Sequence, residues 1–201
     1  MVNNSRIYEN VQIGENSLIG DFVVIGVPPK GKKDGELKTI IGRNAVIRSH
    51  SVIYAGNKIG DDFQTGHGVL VREENTIGDR VSIGTGSVIE HHIKIGDGVR
   101  IHSNAFIPEF SELQSDCWVG PNVVLTNAMY PLSKNVKQEL RGPVVMSLAK
   151  IGANSTLLPG VVIGVDALVG AGSVVTKEVP SGKVVAGNPA KIIKDIKDLP
   201  Y

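Results

Sequence analysis

Aliphatic residues recur at every sixth position through the middle of the chain. Only Thr65 interrupts the series, whose members are Ile41, Ile47, Ile53, Ile59, Thr65, Val71, Ile77, Ile83, Ile89, Ile95, Ile101, Ile107, Leu113, Val119 and Leu125. A helix needs apolar recurrence at about 3.6 residues and an isolated strand at about 2, so neither explains this period. The pattern predicts a solenoid of short strands and corners, with three six-residue repeats, about 18 residues, in each coil.

A second inward position follows most of these aliphatic residues. Four positions on, the side chain is small or apolar at Ala45, Ser51, Val69, Val81, Ser87, Ile93, Val99 and Ala105. Two inward side chains in each repeat predict an all-β fold with a thin interior. Cys117, the single cysteine, occupies this fourth position and has no partner for an internal disulfide, so we expect it to be a buried structural residue.

The same frame continues on both sides of the central block. It appears at Ile7, Ile13, Ile19 and Ile25, and again at Ile151, Leu157, Ile163, Val169 and Val175. The two interruptions predict loops at about 27–38 and 127–149, and counting repeats places both on one edge of the solenoid. Insertions on one edge are typical of a binding face.

The frame fades after Val179, where Pro180, Ser181 and Gly182 follow. We therefore predict a β-helix over residues 1–187 and a helical tail over residues 188–201. The tail has helical spacing at Ile192, Ile193 and Ile196, and we expect it to cover the open end of the last coil.

Composition narrows the function classes. The 201 residues suit one domain, and the 21 basic and 20 acidic residues give a net charge of +1, which argues against a general nucleic-acid or anionic-membrane binder. The start, MVNNSRIYEN, lacks the pattern of a signal peptide, and no stretch approaches the ~20 apolar residues of a membrane span. We expect a cytoplasmic protein with small-molecule substrates.

Stacked coils bring residues 18 positions apart into columns. One such column holds Glu73, His91, Glu109 and Asn127 on successive rungs, ~4.8 Å apart, at the edge from which the loops leave. Such a column is suited to holding a polar ligand. A second corner carries the series His50, Gly68, Gly86, Asn104 and Asn122, where asparagine also suits a left-handed backbone.

The segment Ile151 to Ile193, IGANSTLLPGVVIGVDALVGAGSVVTKEVPSGKVVAGNPAKII, resembles the closing coils of the hexapeptide-repeat acyltransferases. That family consists of left-handed parallel β-helices that act as trimers and use acyl-CoA. The resemblance covers nearly the whole chain. It implies acetyl-CoA as acyl donor, a homotrimer, and coenzyme contacts from Ala153, Ala171, Lys177 and Lys191, with no metal.

A second segment, WVGPNVVLTNAMYPLS, is similar to the nucleotide-sugar N-acetyltransferases of this family. Tyr130 stands where the O-acetyltransferase branch has its general-base histidine. The resemblance implies N-acetylation of a nucleotide-linked amino-deoxysugar by direct attack of the amine on the thioester. Asn127 and Tyr130 then bind the acceptor, while Asn104, Glu109 and His91 are the catalytic residues. A neutral amine needs less help from a base than a hydroxyl does.

Three alternatives remain at this stage. An O-acetyltransferase would use His91, or else His102, as base, with Glu109 orienting His91. A zinc protein like a carbonic anhydrase needs histidines 36 residues apart and a third five residues on, but Ser103 and Ile107 occupy the positions counted from His67 and His102. A solenoid that only scaffolds partners is the third alternative, against which the coenzyme-like closing coils argue.

Overall fold

Three parallel sheets form the faces of a triangular coil in the structure, a computed structural model that describes residues 4–200. Strands are numbered in chain order. Sheet 1 contains β1 (Arg6–Ile7), β4 (Val24–Val27), β7 (Val52–Tyr54), β10 (Leu70–Val71), β13 (Val88–Ile89), β16 (Phe106–Ile107), β19 (Val124–Leu125), β22 (Thr156–Leu157) and β25 (Val174–Val175).

The other two faces repeat this arrangement. Sheet 2 contains β2 (Val11–Ile13), β5 (Thr39–Ile41), β8 (Lys58–Ile59), β11 (Thr76–Ile77), β14 (Lys94–Ile95), β17 (Glu112–Leu113), β20 (Val144–Val145) and β23 (Val162–Ile163). Sheet 3 contains β3 (Leu18–Ile19), β6 (Val46–Ile47), β9 (Gln64–Thr65), β12 (Ser82–Ile83), β15 (Arg100–Ile101), β18 (Trp118–Val119), β21 (Lys150–Ile151), β24 (Leu168–Val169), β26 (Lys183–Gly187) and β27 (Ala190–Asp195).

The six-residue frame produces this coil because each strand is only long enough to send one aliphatic side chain inward. Val71 pairs in register with Ile53 and Ile89, the residues 18 positions away, and all three are buried. The predicted fourth-position residues, from Ala45 to Ala105, are buried as well. The left-handed parallel β-helix predicted from the sequence is confirmed, with stability supplied by stacking of neighbouring coils.

The corners turn through residues with left-handed backbone angles. Asn104 and Asn122 have φ values of 58° and 56°, and the glycines of the same column, Gly68 and Gly86, have 62° and 69°. Asparagine and glycine adopt this conformation at the lowest cost. The predicted turn role of this column is therefore confirmed.

Both loops leave from the corners between sheets 1 and 2, which we call the loop edge. The first occupies residues 28–38, between β4 and β5, and the second occupies 126–143, between β19 and β20. The second loop ends one repeat earlier than the predicted 127–149. Val145 and Ala149 are both fully buried, so the regular coil resumes six residues before Ile151.

The predicted helix at the C-terminus is wrong. Ala190–Asp195 forms β27, which pairs antiparallel with β26, and only Ile196–Asp198 forms a short 3-10 turn. The edge of sheet 3 offers unpaired backbone groups, and β27 satisfies them better than a helix would. The ribbon β26–β27 thus extends sheet 3. Residues 1–3 of the predicted β-helix and Tyr201 of the predicted tail lie outside the described residues.

Two further expectations concern burial and membranes. Cys117 is 1% exposed, as predicted, and its burial raises the pKa of the thiol to about 12. Within residues 4–200, no helix has the length and apolar character needed to cross a membrane.

Candidate functional site

His91, Glu109 and Asn127 stack on the loop edge as the sequence predicts. Nε2 of His91 lies 2.6 Å from Oε1 of Glu109, and the side-chain amide of Asn127 donates a hydrogen bond of 3.2 Å to Oε2 of Glu109. The two oxygens of one carboxylate therefore hold the residues on the rungs before and after it. The second loop begins at this column.

The contacts of His91 determine which ring nitrogen is basic. A carboxylate only accepts hydrogen bonds, so Nε2 of His91 carries the proton at 2.6 Å from Glu109. In the neutral imidazole the other nitrogen, Nδ1, is then the acceptor. Nδ1 lies 2.7 Å from Nδ1 of His92, so with His91 in this tautomer His92 is the donor of the pair. The basic nitrogen of His91 is thus aimed away from Glu109.

Arg72, which the repeat pattern did not single out, organises the rung below His91. Its guanidinium donates two hydrogen bonds to Glu73, of 2.8 and 2.9 Å, and one of 3.3 Å to Glu90. Burial acts to raise the pKa of Glu73, but the hydrogen bonds from Arg72, a backbone hydrogen bond and the nearby positive charges together outweigh it, so the pKa lies below its ordinary value. The signal was present in the sequence, since Arg72 immediately precedes the Glu73 column.

Two asparagines below this column were missed as well. Asn57 and Asn75 are almost completely buried, and each accepts the backbone N–H of the residue 18 positions on, at 3.0 Å from Asn75 and 2.7 Å from Ile93. Their amides donate to the carbonyl oxygen of Arg72 at 2.7 and 2.9 Å. This ladder fixes the backbone that carries Arg72 and Glu73.

Glu90, His91 and Glu109 offer three metal-ligating atoms within 4.8 Å of one another. Each of these side chains already has a protein partner. Arg72 contacts Glu90, and Asn127 donates to Glu109, which in turn contacts His91. The arrangement is electrostatically satisfied by these residues, so a cation is not needed to explain it.

Tyr130 lies in the second loop and exposes apolar side chains with its neighbours. The exposed fractions are 52% for Met129, 70% for Tyr130 and 97% for Leu132. The base of the loop is closed by a hydrogen bond of 2.9 Å from the backbone N–H of Arg141 to the carbonyl of Asn127. The loop therefore presents apolar side chains beside a polar column.

Asn104, Ala153 and Ala171 lie at the corners between sheets 3 and 1, which we call the alanine edge. The coils stack closely there: a Cβ added to Gly152 would lie 2.5 Å from the backbone nitrogen of Ala171. Asn104 is exposed and left-handed. The prediction that Asn104 acts beside Glu109 does not hold within one chain, because sheet 1 separates the two corners.

The two lysines of the predicted coenzyme site are also divided between the edges. Lys177 follows β25 and is exposed on the loop edge, in the column of Asn127. Lys191 is exposed in β27 and pairs in register with Ala186. The Cβ of Ala186 lies close to Gly170, where the alanine edge ends. Ala153, Ala171 and Lys191 thus share one edge, without Lys177.

His102, the other candidate base, points to sheet 3 and not to the loop edge. Its ring lies 4.7 Å from the ring of Trp118. Burial, followed by the charge of Arg100, lowers the pKa of His102. Of the two histidines, His91 is the one placed beside Glu109.

The outward face of sheet 1 connects the two edges and is apolar. In six successive strands the outward residues are Val24, Val52, Leu70, Val88, Phe106 and Val124. Phe106 and Val124 are 37% and 39% exposed. The equivalent rows of sheets 2 and 3 include Lys58, Lys94, Gln64 and Arg100. An apolar stripe of this kind is typical of an interaction surface.

Two families of hexapeptide repeats match the chain. The family described as bacterial transferase hexapeptide (six repeats) matches residues 76–109, and the hexapeptide repeat of succinyl-transferase matches residues 149–177. A curated relative, the 2,3,4,5-tetrahydropyridine-2,6-dicarboxylate N-acetyltransferase of Staphylococcus aureus, is 42% identical over 82 residues, which are 40% of this chain and 31% of the relative. The chain thus spans about a third of that relative's length.

Two solved structures share the fold. The polySia specific acetyltransferase NeuO has a TM-score of 0.58 at 22% identity, over 96% of this chain and 87% of its own. The acetyltransferase VCA0836 of Vibrio cholerae O1 biovar eltor, complexed with acetyl-CoA, has a TM-score of 0.50 at 24% identity, over 68% of this chain and 72% of its own. The chain therefore has the left-handed β-helix fold, and two of its segments match bacterial hexapeptide-repeat families.

Proposed function

We propose that the protein transfers the acetyl group of acetyl-CoA to the amino group of a nucleotide-linked amino-deoxysugar. The observation that carries this proposal is the column of His91, Glu109 and Asn127 beside the exposed loop. Two similar proteins add support: the Staphylococcus aureus relative is an N-acetyltransferase, and VCA0836 is complexed with acetyl-CoA.

In the proposed reaction, the amine nitrogen attacks the thioester carbonyl. The new N–C bond forms as the C–S bond breaks, and the coenzyme leaves as a thiolate. Nδ1 of His91 takes the proton from the nitrogen and passes it to that thiolate, after the acceptor has displaced His92 from Nδ1. Glu109 keeps the ring in the tautomer that leaves Nδ1 free to accept.

The acceptor is held beside this base by the loop edge. Asn127 offers its amide next to Glu109, and Tyr130 offers an aromatic ring 70% exposed, which suits contact with the apolar face of a sugar. Positioning of this kind supplies a large part of the acceleration in bimolecular reactions.

The active unit in this proposal is a homotrimer. Three chains that turn sheet 1 toward a common axis bury its apolar outward row. The loop edge of each chain then meets the alanine edge of its neighbour, since these edges border sheet 1 on opposite sides. Asn104, Ala153, Ala171 and Lys191 of one chain are thereby brought to His91, Glu109 and Lys177 of the next.

The alanine edge is the proposed place of the coenzyme. Ala153 and Ala171 keep the corner narrow, so an extended pantetheine arm can approach the backbone there. Lys191, and Lys177 of the adjoining edge, supply positive charge for its phosphates. These roles follow the family resemblance and the exposure of both lysines.

The test is release of free thiol from acetyl-CoA with a panel of nucleotide-linked 3-amino and 4-amino sugars and a panel of simple sugars and alcohols. We expect release with an amino sugar and a loss of about 10²- to 10⁴-fold in the His91→Ala variant. The matched control is His92→Ala, which removes the neighbouring ring and keeps the base. Release with neither panel would contradict the proposal.

A second candidate function is O-acetylation of a sugar hydroxyl. The observation that favours it is the close contact of His91 with Glu109, because a hydroxyl depends on a general base more strongly than an amine does. Thiol release with hydroxyl acceptors alone, abolished in His91→Ala, would select this second function.

A further inference from the structure

A positively charged depression of about 340 Å³ lies on sheet 3, next to the alanine edge and several coils before Ala153. We call it the arginine groove. Its lining includes Arg48 and Arg100, His67 and His102, and the hydroxyls of Thr85 and Ser103. No carboxylate is among the described residues that line it. In a chain whose net charge is only +1, this is a local concentration of positive charge.

Arg48 and His67 are held in place before any ligand arrives. The guanidinium of Arg48 donates a hydrogen bond of 2.6 Å to the carbonyl of Thr65, while the backbone N–H of Arg48 bonds to the Thr65 hydroxyl at 3.0 Å. Nδ1 of His67 lies 2.7 Å from the hydroxyl of Ser49. Thr65, the single polar residue of the aliphatic row, therefore orients an arginine at the groove.

Two glycines form the floor of the groove. A Cβ on Gly66 or Gly84 would lie 2.3 Å from the backbone nitrogen of Thr85 or Ser103, so stacking of the coils requires glycine at both positions. The open floor separates Arg48 from His102 by three rungs, roughly 14 Å. His102, whose ring packs against that of Trp118 at an angle of 56°, closes the far end.

Arg100 is an exposed cation of the groove. Arg100 lies between the groove and a neighbouring depression and lines both of them. The lining of that second depression also contains Arg80 and one carboxylate, Asp62. Asp62 accepts a hydrogen bond of 3.0 Å from Asn44, and Arg80 lies 4.0 Å from Asp97. Neither contact involves Arg100, whose guanidinium is therefore well placed to bind a diphosphate oxygen.

We propose that the arginine groove binds the diphosphate of the acceptor nucleotide, an assignment that rests on the proposed function for the identity of the acceptor. Guanidinium groups recognise phosphate oxygens through paired hydrogen bonds, and the hydroxyls of Thr85 and Ser103 add further donors. The groove and Ala153 lie along the same edge in different coils. The acceptor therefore enters from the N-terminal coils and the coenzyme from the C-terminal coils, and their reactive groups meet between them.

The experiment is a calorimetric titration of the full chain with pyrophosphate, UDP and CoA, because the coenzyme also carries a diphosphate. The variants are Arg100→Gln and the matched control Lys94→Gln, which removes one exposed outward charge from sheet 2. We expect pyrophosphate and UDP to bind the parent protein and to lose about tenfold or more in affinity in Arg100→Gln. CoA affinity should not change, and Lys94→Gln should match the parent protein.

Three results would overturn the assignment: failure of UDP and pyrophosphate to bind, equal weakening of binding in both variants, and weakening of CoA binding in Arg100→Gln. The last result would give the groove to the coenzyme phosphates. Because the titration needs no acetyl transfer, its outcome is independent of thiol release. An inactive protein that still binds UDP through Arg100 would contradict the proposed reaction and retain the groove.

Discussion

His91 and Glu109 are 18 residues apart in the chain and 2.6 Å apart in space. One turn of the β-helix takes 18 residues, so the two side chains lie at the same corner of adjacent coils. The carboxylate contacts the imidazole of the coil below it and accepts from the amide of Asn127 in the coil above it. A residue pair that resembles a base and its orienting acid thus arises from coil stacking alone.

Replacing Glu109 by Gln should lower kcat/KM by about tenfold to hundredfold, because a neutral amide no longer holds His91 in one tautomer. The matched control is Glu74→Gln, since Glu74 contacts the neighbouring His92 at 3.6 Å and is exposed. Steady-state rates at saturating acetyl-CoA measure the effect. Equal rates in the two variants would remove Glu109 from the proposed mechanism.

The proposed trimer predicts that mixed subunits restore activity. A His91→Ala chain has an intact alanine edge, and an Ala171→Trp chain has an intact loop edge, so each homotrimer should be inactive. Mixed trimers should regain activity, because an intact loop edge then meets an intact alanine edge in some interfaces. The measurement is thiol release after the two variants are unfolded together and refolded. Activity no greater than the sum of the separate variants would contradict the shared site.

The apolar row of sheet 1 can be tested separately. Phe106→Glu places a charge on the outward face, where Phe106 is 37% exposed in the single chain. We expect this variant to sediment as a monomer, because burying an unpaired charge at an interface is costly. Lys94→Glu on sheet 2 is the control. A trimer that persists in Phe106→Glu would place the subunit contact on another face.

Asn75→Ala should destabilise the fold by about 1–3 kcal/mol, because the backbone N–H of Ile93 loses its buried acceptor. Asn135→Ala is a suitable control, since Asn135 is exposed in the second loop and makes no side-chain cap hydrogen bond. Urea unfolding curves give both values. Equal midpoints for the two variants would show that the asparagine ladder contributes little.

The buried thiol of Cys117 predicts a loss of stability at high pH. Its pKa is raised from 9.0 to about 12 by burial, so the unfolded chain binds fewer protons than the folded chain between these pH values. The free energy of unfolding therefore falls as pH rises above about 9, at up to about 1.4 kcal/mol per pH unit. Cys117→Ala should lack this component, and unfolding curves at pH 8 and pH 10 test the difference.

The repeat frame predicts the fold well because burial acts on every rung in the same way. The stacking of His91, Glu109 and Asn127 follows from counting alone. Elsewhere, competition between local sequence preference and pairing with neighbouring strands decides which element forms. At residues 190–195 the helical spacing gives way to pairing with the open edge of β26, and at Val145 the aliphatic row resumes earlier than the next isoleucine indicated.

The candidate site was less predictable, since it depends on which corner each residue occupies. Asn104 and Glu109 are close in sequence, yet they lie at opposite ends of β16. Arg72 and Asn75 act through hydrogen bonds to neighbouring coils, which a single repeat does not reveal. Only the position of Arg72 next to the Glu73 column indicated a role for it.

Both loops leave the β-helix at one edge, so the hydrogen-bonded ladders of all three sheets continue past them. A change in loop length alters what surrounds His91 without shifting any rung. Under the proposed function, acceptor preference can therefore change when one segment is lengthened or shortened, while the proposed coenzyme coils remain as they are. The segment proposed to select the acceptor and the coils proposed to bind the donor can therefore change independently of each other.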